Sequence, residues 1–355
     1  MALPVEVIFT IDLIATFAVY LVISLSLNLE SGYAGIPNFG KLLAVAGGAF
    51  TVGFFPGRIA AWLLGIGPGL DYITYNAEIV THVNQVLGKD TAFALGIFAA
   101  TLVIAGIVGA VLGFIACYPA IRLREDYLGM TLLAMGEGIR VIGYNYPPII
   151  GGTLGVMVPD PFTWAGDLRY MVISLFMLGV SILILFYLEL LVRTPLGRML
   201  RAIRDKEDVA ESLGKNVTRI RMKTIIVSSV IAAIGGALYA FYTGGVISIA
   251  YGRAAWTFWP WVMVILGGAA NNIGATLGTF TFVTVRKLIT FYKDRLTQFV
   301  PFSVVWLDFL LLGVALVLVQ MYRPDGIVPE KPTSTLGSKK LEKMVGPSGK
   351  EDAKK

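Results

Sequence analysis

The feature that most limits what this chain can fold into is a repetition of uncharged apolar runs, each about the length that a bilayer demands. A helix crosses the hydrocarbon core in about 20 residues. Runs near that length, ended by charges, Pro or Gly clusters, lie at Val5 to Leu29, Phe39 to Leu64, Ala92 to Ala116, Tyr127 to Gly143, Tyr170 to Val192, Thr224 to Tyr242, Phe258 to Ala270, Ala275 to Phe291 and Val304 to Tyr322. Backbone in lipid must satisfy its own hydrogen bonds, so such runs close as helices. The fold class expected is an all-α integral membrane protein, a polytopic bundle of about nine transmembrane helices, with the seventh and eighth runs short enough to be half-helices or a re-entrant pair. The bulk composition agrees: 56% of the 355 residues are hydrophobic and 15% charged, far from the balance of an ordinary globular domain. The first run has no basic segment before it and is too long for a cleavable signal, so it reads as the first span.

Several functions are excluded at once. Cys117 is the single cysteine and His82 the single histidine, which leaves neither an internal disulfide nor a metal site built from Cys and His. The net charge of +6 is gathered beside the apolar runs, as in loops held at the cytoplasmic face, and does not form a nucleic-acid surface. Arg122 and Arg124 follow the third run. Arg193, Arg198, Arg201, Arg204, Lys206, Lys215, Arg219, Arg221 and Lys223 follow the fifth, and Arg323 and seven lysines follow the ninth. All three segments come after odd-numbered runs, so one orientation puts them all in the cytoplasm, with the N-terminus outside and the C-terminus inside. The segments Gly65 to Thr91 and Tyr144 to Arg169 then read as partly ordered external caps. Residues 1–323 form one transmembrane domain, and residues 324–355, rich in Pro, Gly, Ser and Lys, read as a disordered cytoplasmic tail.

Apolar contact holds helices together only weakly in lipid, so small residues must supply close packing. Gly109 and Gly113, Gly274 and Gly278, and the pairs Gly47-Gly48, Gly235-Gly236, Gly244-Gly245 and Gly267-Gly268 supply it. A sharper reading attaches to Gly32 to Gly40, Gly151 to Gly155 and Gly267 to Gly274, where broken helices would line a pathway, because irregular backbone at membrane depth survives only against protein or water.

The least lipid-like stretch of the interior is "RAIRDKEDVAESLGKNVTRIRMK", Arg201 to Lys223, within a cytoplasmic segment spanning 193–223. Thr194-Pro195 reads as the start of a helix, one face of which carries Leu196, Met199, Leu200 and Ile203. Arg198, Arg201 and Arg204 lie on its other faces, which suits a helix along the membrane surface with its basic residues on anionic headgroups. Asp205 is placed to cap a second short helix, Glu207 and Asp208 suit its positive end, and Gly214 suits a left-handed close. Val209, Leu213 and Val217 form an apolar stripe that nothing in the loop is large enough to cover, so a partner is expected there. "DVAESLG", Asp208 to Gly214, resembles the E-A-A-x-x-x-G coupling signature of permease subunits in prokaryotic ABC importers.

With its surroundings, the chain resembles one family, the M-type permease subunit of branched-chain amino acid ABC importers. "SLNLESGYAGIPNFGKLLAVAGGAFT" resembles the family's "LNLLxGxxGxxSLGHAAFFGIGAYT", "LRLREDYLGMTLLAMGEGIR" its "LRLRGxYFAIVTLAFGEIIR", and "GGTLGV" its "GGTNGL". The segments "RTPLGRMLRAIRDKEDVAESLGKNVTRIRMK", "ALYAFYTGGVISIAYG", "VILGGAANNIGATLGT" and "YRPDGIVPE" stand in family order after them. Asn38, Phe39 and Lys41 depart from the usual Ser, Leu and His, and Leu154 from Asn. The resemblance implies a heteromeric importer in the cell membrane of a prokaryote. Its parts would be this chain, a sister permease subunit, two cytoplasmic ATPase subunits that bind ATP and Mg, and an external solute-binding protein delivering Leu, Ile or Val. It also implies an ATPase-coupling surface at Asp205, Glu207, Asp208, Val209, Ala210, Glu211, Leu213, Gly214 and Asn216, and a translocation path near Asn38, Lys41, Gly151, Gly152, Thr153, Gly267 and Gly268.

The chain binds no nucleotide of its own by the phosphate-loop criterion: its Gly-Lys pairs at Gly40, Gly88, Gly214 and Gly349 are followed by Leu, Asp, Asn and Glu, never Ser or Thr. Energy comes from a partner or from an ion gradient, and the gradient defines the rival reading, a secondary transporter. Such carriers use ionisable groups inside the bundle, for which Asp12, Lys41, Glu137, Arg140, Glu189 and Asp308 are the candidates, with Glu137 and Arg140 spaced to pair. An ABC permease for urea or short amides is the nearer alternative. No cofactor is expected in this chain, and no nucleophile with a base stands out to make it an enzyme.

Overall fold

A computed structural model describes residues 4–67, 69–123, 125–293 and 304–330. Arg124, the side chain of Asp308 and the tail beyond residue 330 lie outside the described residues. The chain is helical nearly throughout: α1 (Val5–Leu27), α2 (Lys41–Leu64), α3 (Asn76–Leu87), α4 (Thr91–Arg122), α5 (Glu125–Asn145), a single turn α6 (Pro147–Ile150), α7 (Arg169–Arg193), α8 (Pro195–Asp205), α9 (Glu207–Ser212), α10 (Val217–Thr243), α11 (Trp259–Gly267), α12 (Asn272–Phe291) and α13 (Val304–Tyr322). The one sheet among the described residues is a two-residue antiparallel ladder, Val156–Met157 (β1) on Gly245–Val246 (β2).

Each apolar run falls on a helix. Five helices are long and apolar enough to cross a membrane, and the bent pair Ala254–Gly267 with Asn272–Phe291, turned by 118°, makes a sixth candidate. The long helices α5 and α13 lie on the fourth and ninth runs. The boundaries differ where polar residues prolong a helix past the apolar run. α1 continues through a π turn, Asn28–Tyr33, and a second π turn, Ala254–Phe258, leads into α11. A π turn widens the backbone ladder by one residue, a device common at functional positions.

The core is built on α2 and α10, whose contact is close enough to require glycine. A Cβ on Gly48 would lie 1.9 Å from the Ala233 carbonyl oxygen, and one on Gly236 would lie 2.0 Å from that of Val45. Gly109 and Gly113 of α4 meet Ser229 and its neighbours on α10 in the same manner. In the apolar windows of α2 and α10, 78% and 72% of residues are buried, against 33% in α4 and 28% in α7, whose outer faces are apolar and open to lipid or protein. At one end of the bundle, α3 covers Ala60, Ala61, Tyr72, Ala94 and Ile97 as an ordered cap. At the other, α8 and α9 form a short helical elbow between α7 and α10, with α8 packed on the end of α7 and on the π turn of α1.

The start of the tail is a correction. Residues 324–330 do not hang free: Ile327 N–H donates to the Leu266 carbonyl at 3.0 Å and Val328 N–H to that of Gly267 at 3.0 Å. "DGIVPE" carries apolar Ile327 and Val328, whose N–H groups pair with the last-turn carbonyls of α11 that the helix itself leaves unbonded, and a low-complexity reading averages over them.

Candidate functional site

The α8–α9 elbow forms as its sequence directs, with three exceptions. Pro195 occupies the first helical position of α8, where its missing N–H costs nothing. The Thr194 hydroxyl, however, donates to the Leu191 carbonyl at 2.6 Å and caps nothing ahead of it. Asp205 closes α8 instead of opening α9, whose N-cap is Lys206, and its carboxylate turns to Arg204 at 3.2 Å. Gly214 closes α9 at φ +75°, with Gly214 N–H on Glu211 and Lys215 N–H on the Ala210 carbonyl, the left-handed close its position suggested. Glu207 is tied to Arg221 of α10 at 2.7 Å, and the Asn216 side chain caps α10 by accepting from Arg219 N–H at 2.9 Å. The two short helices are therefore fastened at both ends.

The third exception is the apolar stripe, which divides. Val217 and Ala210 are buried against Ile203, with Met199 and Ile220 around them. The loop covers that half itself, because Val217 stands on the first turn of α10 and faces back toward α8. Val209 and Leu213, on the other side of α9, are 55% and 73% exposed, flanked by exposed Asp208 and Glu211. The basic residues divide too. Arg198 is exposed. Arg201 and Arg204 turn inward: Arg201 Nε meets Glu330 Oε1 at 3.0 Å, Arg204 Nη2 meets Glu330 Oε2 at 2.9 Å, and Arg204 Nη1 donates to the Gly32 carbonyl at 2.7 Å. A carboxylate taking two guanidinium groups is a stronger magnet than a membrane surface, so two of the three residues assigned to headgroups are engaged within the chain.

Beside the elbow lies the break between α11 and α12. Gly268 sits at φ +111° and Ala270, a non-glycine, at φ +58°. Asn271 restarts the helix, its side chain accepting from Ile273 and Gly274 N–H at 3.0 and 3.1 Å. Asn28 of the π turn accepts from Ala270 N–H at 2.9 Å and donates to Asn272 at 3.1 Å, and Asn272 donates to Glu189 at 3.1 Å. The irregular backbone of the break is thus paired by protein side chains.

Deeper still is an ion pair of which the sequence betrays only one side. Lys41 Nζ meets Glu30 Oε2 at 2.8 Å, with 1% and 0% of the two side chains exposed. Asn38 donates to the same oxygen at 2.8 Å, and Lys41 also donates to Ser228, whose hydroxyl in turn donates to the Ser26 carbonyl at 2.6 Å. Glu30 Oε1 has no hydrogen-bond partner among the described residues. A signal for Glu30 is present: "LNLE" stands where the family pattern reads "LNLL", eleven residues before the Lys41 that replaces a His. A second pairing is equally hidden in the sequence: Asp12 binds Lys287 at 2.5 Å and accepts from the Tyr242 hydroxyl at 3.2 Å.

The residues expected along a path do not converge. Asn38 and Lys41 are sealed inside the bundle, and Gly267 and Gly268 are buried at the break, where a Cβ on Gly267 would meet Gly274 at 2.1 Å. Gly151 and Gly152, both at positive φ, lie at the opposite end next to the β1–β2 ladder, with Thr153 exposed beside them. Of the groups weighed for ion coupling, Glu137 pairs with Arg140 (Nε to Oε1, 2.7 Å), and that pair, in the middle of α5, is 31% and 28% exposed. Glu189 pairs with Arg193 at 2.8 Å.

Comparison with known proteins places this architecture. A family model described as branched-chain amino acid transport system, permease component, matches residues 9–320. The chain is 40% identical over 348 residues to a probable branched-chain amino acid transport permease protein LivM of Methanocaldococcus jannaschii, covering 96% of this chain and 100% of that one. It is 26% identical over 347 residues to the high-affinity branched-chain amino acid transport system permease protein LivM of Escherichia coli, covering 90% of this chain and 70% of the relative. A probable LivH permease of M. jannaschii matches more weakly, 26% over 253 residues, covering 65% of this chain and 77% of the relative. No solved structure matches. The chain is a multi-pass membrane protein belonging to the branched-chain amino acid transport permease family.

Proposed function

We propose that this chain is one of two permease subunits in an ATP-driven importer of branched-chain amino acids, powered by two ATPase subunits that hold ATP and Mg and dock on the α8–α9 elbow. The observation that carries this reading is the bare Val209–Leu213 edge on a helix fastened at both ends. An exposed apolar pair with an acidic rim suits a groove on a partner, and rigid attachment lets one body move another. The basic end of the bundle is cytoplasmic by its lysine and arginine content, which puts the N-terminus outside. The opposite end, with the glycine turn at 151–155 and exposed Leu154, then receives an external solute-binding protein, which supplies the selectivity.

The sister subunit is of the related H type, to which this chain is also similar. It covers the outer face of α5. A charged pair in the middle of a helix is costly against lipid chains, and Glu137 with Arg140 is partly open there, so that face meets protein or the water of the path. Lys41 and Asn38 stand behind it and brace the bundle. Arg198 alone of the three α8 arginines remains for anionic headgroups. The ion-coupled alternative draws little from the interior, where Asp12, Lys41, Glu137 and Glu189 are each bound to a counter-charge.

Reconstitution of this chain with its sister permease, ATPases and binding protein in vesicles tests the reading. Uptake of labelled leucine, isoleucine or valine that requires enclosed ATP, with urea and short amides ignored, is the expected result. Uptake by this chain alone under an imposed ion gradient contradicts it.

A further inference from the structure

We propose that residues 325–330 are a mechanical link between the α8–α9 elbow and the break of the α11–α12 helix, with Glu330 as the residue that positions one on the other. The inference rests on the reading of the elbow as an ATPase dock. On one side, the segment grips both arms of the break. Ile327 and Val328 N–H groups bind the Leu266 and Gly267 carbonyls at the end of α11, each at 3.0 Å, and the Asn271 side chain, which caps α12, donates to the Pro329 carbonyl at 3.1 Å. The fit has no slack: a Cβ on Gly268 would lie 2.2 Å from the Val328 oxygen, and one on Gly326 would lie 2.4 Å from the Gly268 nitrogen.

On the other side, both Glu330 oxygens are held by α8, one by Arg201 at 3.0 Å and one by Arg204 at 2.9 Å. Arg204 also holds the π turn of α1 through Gly32, and the Arg201 guanidinium lies 5.2 Å from the centre of the Tyr33 ring. Guanidinium groups are planar forks with fixed donor directions, so a carboxylate held by two of them follows their motion. A shift of α8 therefore pulls on Glu330, and through Pro329 and Val328 on the apex of the break. That apex holds Ala270 at φ +58°, a conformation that costs energy for a residue with a side chain and persists because its surroundings hold it.

Glu330→Gln keeps the shape and removes the charge. In the full reconstituted complex, the variant is expected to retain its ATPase subunits and their turnover, while solute carried per ATP falls about tenfold, the size of an ordinary coupling between sites. Spin labels at Ala202 on α8 and Ile273 on α12 give the second readout. In the wild type their separation should hold when ATP binds, because the two elements move together, whereas in Glu330→Gln it should change. Unaltered transport per ATP in Glu330→Gln, or a wild-type separation that shifts on ATP binding, overturns the link while leaving the importer reading in place. Loss of ATPase subunits from Glu330→Gln also overturns it, because the residue then serves assembly. Absence of ATP-driven uptake in the wild type overturns the importer reading and the link with it.

Discussion

Two ion-pair clusters at the same end of the bundle differ in burial, and on the proposed reading the difference separates a contact that fixes one arrangement from one that transmits motion. Glu30 and Lys41 are sealed, with 0% and 1% of their side chains exposed, and join the end of α1, the start of α2 and, through Ser228, α10. Glu330, Arg201 and Arg204 remain 27%, 16% and 25% exposed and join α8 to the break between α11 and α12. A sealed pair carries a large desolvation cost that only its partner offsets, so it locks one arrangement. A pair reached by water adjusts its geometry at low cost, which suits a contact that, on the proposed reading, stays closed while the elements it joins move together. The sealed pair thus fixes how α1, α2 and α10 meet, and on the proposed reading coupling lies around α8, α9 and the break.

The largest expected effect lies in the sealed cluster. Glu30→Leu strands the Lys41 charge and should destabilise the folded chain by about 3–5 kcal/mol, seen as a steep fall in detergent-extracted, monodisperse protein. The double variant Glu30→Leu, Lys41→Met should recover most of it, since an apolar pair of similar volume is often neutral. A single variant as stable as the wild type would break the comparison. Next comes Gly236→Ala, whose Cβ would enter the space of the Val45 carbonyl at 2.0 Å. A cost of about 1–3 kcal/mol is expected, measured as a lower midpoint of thermal unfolding with transport per folded molecule unchanged.

How much of this was legible in the sequence depended on how far apart the partners stand. The spans were visible because each is a continuous run, and the elbow because Pro195 and Gly214 punctuate it locally. The division of the apolar stripe was hidden, since Val217 belongs to the next helix and only the turn at Gly214 to Asn216 folds it back on Ile203. Arg201 and Arg204 looked like surface residues because their partner lies 129 and 126 positions along the chain, in a segment whose composition suggested a tail. Glu30 was masked by its place at the end of an apolar run. A π turn and the irregular stretch from residue 34 to 40 bring Lys41 beside it, and neither leaves a periodic trace. The residues expected along a path stand far apart because Gly151 and Gly152 turn the chain at one end of the bundle while Asn38, Lys41, Gly267 and Gly268 lie at the other, a separation that residue types alone do not reveal.

The smallest effect is expected at Arg198, exposed on α8. Arg198→Gln should leave stability within about 0.5 kcal/mol of the wild type and lower binding to anionic vesicles by an amount that vanishes at high salt. A loss as large as that of Glu330→Gln would show that the elbow works through lipid and would narrow the contrast between the clusters.

The central claim is that the open edge of α9 is where an energy-supplying partner attaches, and Leu213→Asp tests it most directly. Leu213 is 73% exposed and touches no core cluster, so the variant should fold and insert as the wild type does. The measurement is ATP-driven leucine uptake by vesicles containing the assembled complex, read together with the amount of ATPase subunit that stays bound. Both are expected to fall at least about tenfold, as for an interface hot spot worth more than about 1.4 kcal/mol. Wild-type uptake with a full complement of bound ATPase would contradict the account.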